Sequence, residues 1–545
     1  MKMKKLKFLV PILAFAFFSC DNYLDINDSP NTLTFDKATP SKLLPGAQVS
    51  TYRVQVGSMN QLGNVFMNSW TRNVQSYGNG FDKELQLNLD NGFYTTIWDG
   101  LYRNLMNFQA IINYPNPNGK YDLYVAAAKI CKAHYMECIV DLYGDAPYSQ
   151  AWKGEENLSP AYDDDYAIYQ ALIGDLESAR NLINNASATA EDIAPYDVML
   201  AGDMTRWTEF ANTIQLRMCL RMSEVTGAKA TYRDTKLADI ASGPFLSDNV
   251  AINPGFSDAT NDQGSPAFAT YCYDVAGNLL QNRTFITMTG HAYKSLQSYA
   301  TTNWAAFGNN YEIVPGSGIN YPNVTDPRSA RLYTAGSGQS QRRGVTQGST
   351  NVDVGPAAFT VGLPCRLGLA GQFNPYGQSD GTLASYFACD GFVMTYAESC
   401  FLQAEAAVRY PSLFSNEQYW FDEGITDDFA MRNATVGSYI TTINTKPNFG
   451  LAASTTTSQK LHAIMYQKWV ALIGVNAIQS YIDYVRTGYP VTPLSTTAIQ
   501  ARKPYRLIYP VSEYVANSAN VPNVSANDCF SLNSHTPFWV AGAPN

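Results

Sequence analysis

What most constrains this chain is that its amphipathic stretches come in pairs. Ile97, Leu101, Leu105, Phe108 and Ile112 recur every three or four residues across 94–113, and a second stretch, 122–141, follows after Tyr114-Pro115-Asn116-Pro117-Asn118-Gly119. That spacing lays one apolar stripe along each helix, and so short a Pro/Gly link turns the second helix back on the first. The pattern returns at 164–185, with Ile168, Leu172, Leu176, Ala179 and Ile183, and at 204–225, with Trp207, Phe210, Ala211, Ile214 and Met218. It returns again at 391–410 with 417–433, and at 458–473 with 475–486. A helix pair cannot bury its stripe alone, so about four such pairs must stack. A mainly α, tetratricopeptide-like scaffold is expected, although the usual repeat consensus is not legible and the spacing is irregular.

The punctuation between stripes is equally directive. In Lys129–Trp152, KICKAHYMECIVDLYGDAPYSQAW, a helical pattern runs into Gly144 and Pro147. Gly144 can take the left-handed conformation that ends a helix, and Pro147 cannot continue one. Asp203 is placed to cap the helix that follows it, and Asp163-Asp164-Asp165 stands at a helix start, where carboxylates favour the positive dipole end over a calcium role. A helix is expected over much of 43–70 and a loop over the Gly- and Asn-rich 71–93.

Between 243 and 390 the chain changes character. It becomes rich in Gly, Asn, Ser, Thr and Tyr, with little periodicity beyond a helix near 287–299. An aromatic, poorly periodic insert of this length inside a globular chain is usually functional. The expected organisation is therefore one domain over 41–545: helical scaffold at 41–242 and 391–490, irregular half at 243–390, and an extended segment at 491–545.

The first nineteen residues have a basic start, Lys2, Lys4, Lys5 and Lys7, and an apolar run from Phe8 to Phe18. A bilayer-crossing helix needs roughly 20 apolar residues, so the run reads as a signal peptide. It ends Phe17-Phe18-Ser19-Cys20, a small residue before cysteine, which marks Cys20 for acylation, although Phe17 stands where such signals usually carry Leu. Residues 20–40, polar and turn-rich, read as a lipidated tether. Without the four leader lysines the chain sets 33 basic against 46 acidic side chains, a net charge of −13. That balance excludes nucleic acid as a partner and an electrostatic grip on anionic lipid, so the membrane anchor must be covalent. Eight cysteines remain once Cys20 is lipidated, none in a CxxC arrangement. They read as small buried residues, with pairing permitted by an oxidising compartment.

Several strings agree with one known family. Asp141-Leu142-Tyr143-Gly144-Asp145-Ala146-Pro147-Tyr148-Ser149-Gln150-Ala151 closely resembles the helix-ending segment of the SusD/RagB family, surface lipoproteins that pair with a TonB-dependent outer-membrane transporter to import nutrients. Leu24-Asp25-Ile26-Asn27 is similar to the family's start after the lipid cysteine, and Asp326-Pro327-Arg328 to a recurrent Asp-Pro-Arg. Gln467–Leu472 and Asp483–Pro490 resemble its last repeat, and Arg506–Asn517 fits its Arg-x-x-Tyr-Pro-x-x-Glu-x-x-x-Asn closing segment. The resemblance implies a SusD-like fold in which helix pairs support a loop-rich half. It also implies a non-catalytic, lipid-anchored outer-membrane protein that captures oligomeric nutrient for a SusC-like TonB-dependent transporter. Glycan is the family's best-known cargo, and oligopeptide stays open beside it.

Catalytic and cofactor signatures are missing from the residues themselves. His134, His291, His462 and His535 are far apart and in no HExxH or His-Cys arrangement, so each reads as a packed or surface imidazole. No GxSxG elbow, P-loop or dinucleotide glycine pattern occurs, and no metal or cofactor is expected. A secreted hydrolase remains conceivable because two carboxylates can converge from anywhere, as does a structural repeat protein. For binding, sugar rings stack on Trp and Tyr faces while Asn, Gln and Arg take their hydroxyls, and an extended peptide could use the same groups. Two stretches offer this set: Trp70, Arg72 and Asn73 with Tyr77, and Tyr271 and Tyr273 with Trp304 and Tyr311.

Overall fold

A computed structural model describes residues 38–74, 76–298, 319–334, 344–349, 366–367 and 382–542. The signal segment, Cys20, the tether up to residue 37, Trp304 and Tyr311 lie outside the described residues.

The paired stripes form paired helices. The first pair is α3 (Thr95–Asn113) and α4 (Asp122–Tyr143), preceded by α1 (Pro40–Val54) and α2 (Asn60–Phe66). The second is α5 (Asp165–Asn184) and α6 (Met204–Arg221), with α7 (Gly227–Ile240) behind α6. The third is α8 (Tyr396–Arg409) and α9 (Glu417–Met431), the fourth α10 (Thr457–Leu472) and α11 (Ala477–Thr487). The helices of each pair pack on one another, α4 packs on α5, α6 hands over to α8, and α11 returns onto α2, so the last pair closes against the first helices. From Tyr124 to Tyr143 every α4 side chain but Lys129 is buried, because α1, α3, α5 and α6 surround it. Its polar side chains Lys132, His134, Glu137 and Asp141 are buried with the apolar ones, so they must find partners on those neighbours.

The caps follow the residue chemistry. Asp203 accepts from the N–H groups of Thr205 and Arg206 at 2.9 and 3.2 Å. Asp164 caps α5 through Ala167 N–H at 2.9 Å, whereas Asp163 turns away and accepts from Tyr148 and Ser149 N–H, fastening the turn after α4. Gly144 does stop α4, but with φ 73° and ψ −131° it lies outside the expected left-handed well, in a region that essentially only glycine enters.

Some boundaries depart from the periodicity. Residues 71–93 are not wholly loop: Trp70–Arg72 is a strand, β1, and Asp82–Gln86 a short helix. The 391–410 stretch opens as a strand, β6 (Gly391–Met394), which pairs antiparallel with β2 (Val250–Ile252). In the irregular half, β3 (Ile286–Met288) precedes a helix at Gly290–Leu296. It takes part in a four-stranded antiparallel sheet with β4 (Tyr333–Thr334) and β5 (Arg366–Leu367), in the order β1-β3-β5-β4, with Trp70 opposite Met288. Runs of two to four residues are too short for a period-two pattern to declare itself. The helix α1 passes into α2 through a π turn, Gln55–Met59, whose Gln55 amide donates to Val393 O at 3.0 Å and whose Oε1 accepts from Tyr135 at 3.1 Å.

Buried charge ties the pairs together. Arg217 of α6 holds Glu137 of α4 at 2.6 Å and Glu398 of α8 at 3.3 Å. Arg221 pairs with Asp141 of α4 and Asp483 of α11, which also takes Lys468 of α10 at 2.9 Å. Arg486 of α11 grips Glu405 of α8 at 2.5 and 2.8 Å. Each charge needs its partner, because an unpaired buried ion is strongly unfavourable. Among the described residues Cys131, Cys138, Cys219, Cys272, Cys389, Cys400 and Cys529 are unbridged, and all but the half-buried Cys389 are buried.

The C-terminal segment is a strap with a short helix, Val511–Ala516. Glu513 accepts from Trp98 of α3 at 3.1 Å and from Tyr162 at 2.7 Å, and Leu507 N–H bonds to Leu142 O at 2.6 Å. Arg328 likewise binds Asp326, Asp428 and Gln467 at 2.7 to 2.8 Å, fastening the irregular half to α9 and α10.

Candidate ligand-binding surface

One ring contact, between Trp70 and Tyr271, joins the two predicted stretches among the described residues. Trp70 lies on β1 with its ring edge-on to Tyr271, centroids 5.2 Å apart. Both are interior, Trp70 2% and Tyr271 6% exposed, so neither presents an open ring face. The Tyr271 hydroxyl donates to Val56 O and Gly57 O, each at 3.0 Å, and pins the π turn; burial also raises its pKa. Trp70 Nε1 has no hydrogen-bond partner among the described residues.

Asn73 and Tyr77 are organised by a segment the sequence reading did not single out. Asn73 N–H donates to Phe285 O at 2.7 Å and its side-chain amide to Thr284 O at 3.1 Å, while the Tyr77 hydroxyl shares a 2.6 Å bond with Thr284 Oγ1. The Phe285 ring meets Tyr77 edge-on at 5.1 Å and Phe81 at 4.9 Å. Asn73 is buried and Tyr77 half-buried. Arg72 reaches outward to Asp82 at 3.1 Å, and half-buried Tyr273 stacks on Phe268 at 6.0 Å. The described residues of the set make up the candidate aromatic wall: Trp70, Arg72, Asn73 and Tyr271 are buried, and Tyr77 and Tyr273 are half-buried. The partner segment Phe285-Ile286-Thr287-Met288 carries no period-two pattern that could have announced it.

A second buried cluster stands behind β1. His291 Nδ1 lies 3.2 Å from the Tyr321 hydroxyl and its ring 5.5 Å from Trp469, whose indole N–H donates to Ser69 Oγ at 2.9 Å. Burial, aided by Lys503 and Lys294, pushes the His291 pKa down to about 3, so the imidazole is neutral, as a packed histidine should be. Asp145, Asp164 and Asp165 bring carboxylate oxygens within 4.8 Å of one another, but each accepts a backbone N–H, from Asp165, Ala167 and Phe538 respectively. Asp145 and Asp164 thus meet N–H groups at the start of α5, whereas Asp165 fastens the C-terminal strap. No helix among the described residues is long and apolar enough to cross a membrane.

Comparison with known proteins agrees with this architecture. No curated protein sequence matches the chain. Among solved structures it is similar to a chitin-binding SusD homolog from Flavobacterium johnsoniae, at 19% identity and TM-score 0.66, covering 92% of this chain and 99% of that one. A SusD/RagB family protein from Bacteroides thetaiotaomicron aligns at 18% identity and TM-score 0.64 over 93% of this chain and 100% of its own. A SusD-like protein from the same organism aligns at 20% identity and TM-score 0.61, over 87% and 94%. The SusD-like_2 family model, described as "Starch-binding associating with outer membrane", matches residues 30–261 and 323–510. Matched over most of its length by that family model, the chain belongs to the SusD-like family.

Proposed function

We propose that this chain is a non-catalytic outer-membrane lipoprotein that captures oligomeric nutrient, glycan in the first place, and delivers it to a TonB-dependent SusC-like transporter. The observation that carries this reading is the family match over both the scaffold and the flanks of the irregular half, joined to a fold shared along nearly the full length of a chitin-binding homolog. The aromatic wall supports it: Tyr77 and Tyr273 are half-buried rings on a buried backing, which suits stacking on sugar C–H faces. The lipidated Cys20 would hold the scaffold at the membrane while leaving it mobile, so that ligand is enclosed between this chain and the barrel and closure couples capture to transport.

Calorimetry of the purified chain, with and without its transporter, against chito- and malto-oligosaccharides and against a protein digest tests this. Oligosaccharide binding that tightens when the transporter is present is expected. Binding of the digest alone would replace glycan with oligopeptide, and equal affinity with and without the barrel would sink shared capture.

A further inference from the structure

Away from the aromatic wall, the turn that follows α4 borders an open cavity of about 600 Å³ whose lining includes Gln109, Asn113, Lys132, Tyr148, Trp152 and, as two further charges, Lys153 and Glu156. Lys132 is only 5% exposed, yet among the described residues its ammonium has no carboxylate in salt-bridge range. It donates to Gln109 Oε1 at 2.7 Å and sits 4.3 Å from the Tyr148 ring centre and 5.2 Å from that of Trp152. The nearby acid, Asp175, is already engaged by Lys129 at 2.7 Å and by the Tyr148 hydroxyl at 2.8 Å. A buried cation held by one neutral oxygen and two ring faces is under-compensated, and an arriving anion would gain a charge-assisted hydrogen bond.

The second observation is the backbone at Trp152. It adopts φ 58°, a left-handed conformation that a bulky residue seldom takes, and it is held there by its indole N–H donating to Tyr102 O at 2.9 Å and by stacking on Tyr102 at 5.5 Å. Such strain persists where the surroundings over-determine it, commonly at ligand clamps. Here it sets an indole beside the ammonium. The Gln109 amide completes the lining: its N–H donates to Asn113 Oδ1 at 2.8 Å while its oxygen receives Lys132, so Asn113, Gln109 and Lys132 form one oriented chain.

The geometry points to a second ligand site that takes a carboxylate-bearing sugar unit, a uronate, with its carboxylate on Lys132, its ring against Trp152 and its hydroxyls on Gln109 and Asn113. Burial lowers the Lys132 pKa to about 8, which still leaves the amine charged at neutral pH. The site does not depend on the wall formed around Trp70 and Tyr77, and it can hold or fail separately from the function proposed above.

Trigalacturonate and its fully methyl-esterified counterpart, titrated into the purified chain by calorimetry, test this with shape held constant and charge removed. The acid is expected to bind at least tenfold more tightly than the ester. Lys132→Met, which keeps the aliphatic stem, should abolish that difference while leaving chitotriose binding at the aromatic wall unchanged. Trp152→Gly, which removes the ring and relieves the backbone, should weaken trigalacturonate at least tenfold with the far-ultraviolet circular dichroism retained; it serves if the lysine variant fails to fold. Equal binding of acid and ester, binding of neither, or full trigalacturonate affinity in a folded variant would overturn the site. A chain that binds the acid in this way but ignores every neutral glycan keeps the site and overturns the glycan reading of the wall.

Discussion

Gly63 of α2 lies so close to Ala477 of α11 that a β-carbon added to it would stand 2.2 Å from the Ala477 carbonyl carbon. This contact joins the first helices to the last, across more than four hundred residues of chain, and only a hydrogen on the α-carbon permits it. Backbone cannot move aside as a flexible side chain can, so Gly63→Ala should force the two helices apart. Overpacking of a tight interface costs about 1–3 kcal/mol, and a lowered urea midpoint is expected. An unchanged midpoint would mean the ends of the scaffold do not close as described.

Arg217 and Glu137 make the most completely buried ion pair of the scaffold's second and first pairs, with Glu398 on the other side of the guanidinium. Glu137→Leu removes one of two counter-charges from an arginine that has no exposure. A loss of about 3–5 kcal/mol is the usual result of breaking such a pair. The double variant Glu137→Leu with Arg217→Met should lose less than the sum of the single changes, read from denaturant unfolding of all four proteins.

Neutral His291 makes stability depend on pH. Its folded pKa, about 3, is below the ordinary value near 6.5, so between those two pH values the unfolded chain binds the extra proton and stability falls as the pH falls. The slope from one such group approaches about 1.4 kcal/mol per pH unit. His291→Phe should flatten the difference between unfolding curves measured at pH 4 and pH 6. Identical pH dependence in the two proteins would show the imidazole to be solvated.

Tyr77 tests the aromatic wall without dismantling it. The ring is half-buried and its hydroxyl is tied to Thr284, whereas Trp70 and Tyr271 are interior. Tyr77→Ala is expected to weaken oligosaccharide binding about tenfold, near 1.4 kcal/mol, with a small change in thermal midpoint. Trp70→Ala should instead act on folding, costing about 3–5 kcal/mol as a buried aromatic does. A Tyr77 variant with unaltered binding to every glycan tried would move the ligand site elsewhere.

The helix pairs, the Asp203 cap and the stop at Gly144 were legible because each is written within a few neighbouring residues: a 3.6-residue period, a carboxylate two positions before an orphan N–H, a residue lacking Cβ. The strings from Asp141 to Ala151 and from Arg506 to Asn517 were recognisable for a different reason. Their residues hold one another across the fold, Leu507 N–H donating to Leu142 O and the Tyr509 hydroxyl to Asp145 O. The β1 strand and the partner that organises Asn73 and Tyr77 were not legible, since three residues carry no period and Thr284 stands more than two hundred positions away.

By itself, then, the order of residues determined which stretches coil, where they end and which family they resemble, because those are matters of local backbone preference and of the stripe each helix must cover. Tertiary structure alone decided that Trp70 and Tyr271 face inward, that five helices share one set of buried charges, and that Lys132 stands beside two rings with no salt-bridged acid among the described residues. Burial and charge compensation belong to neighbours in space, and no single stretch of chain contains both members of such a pair.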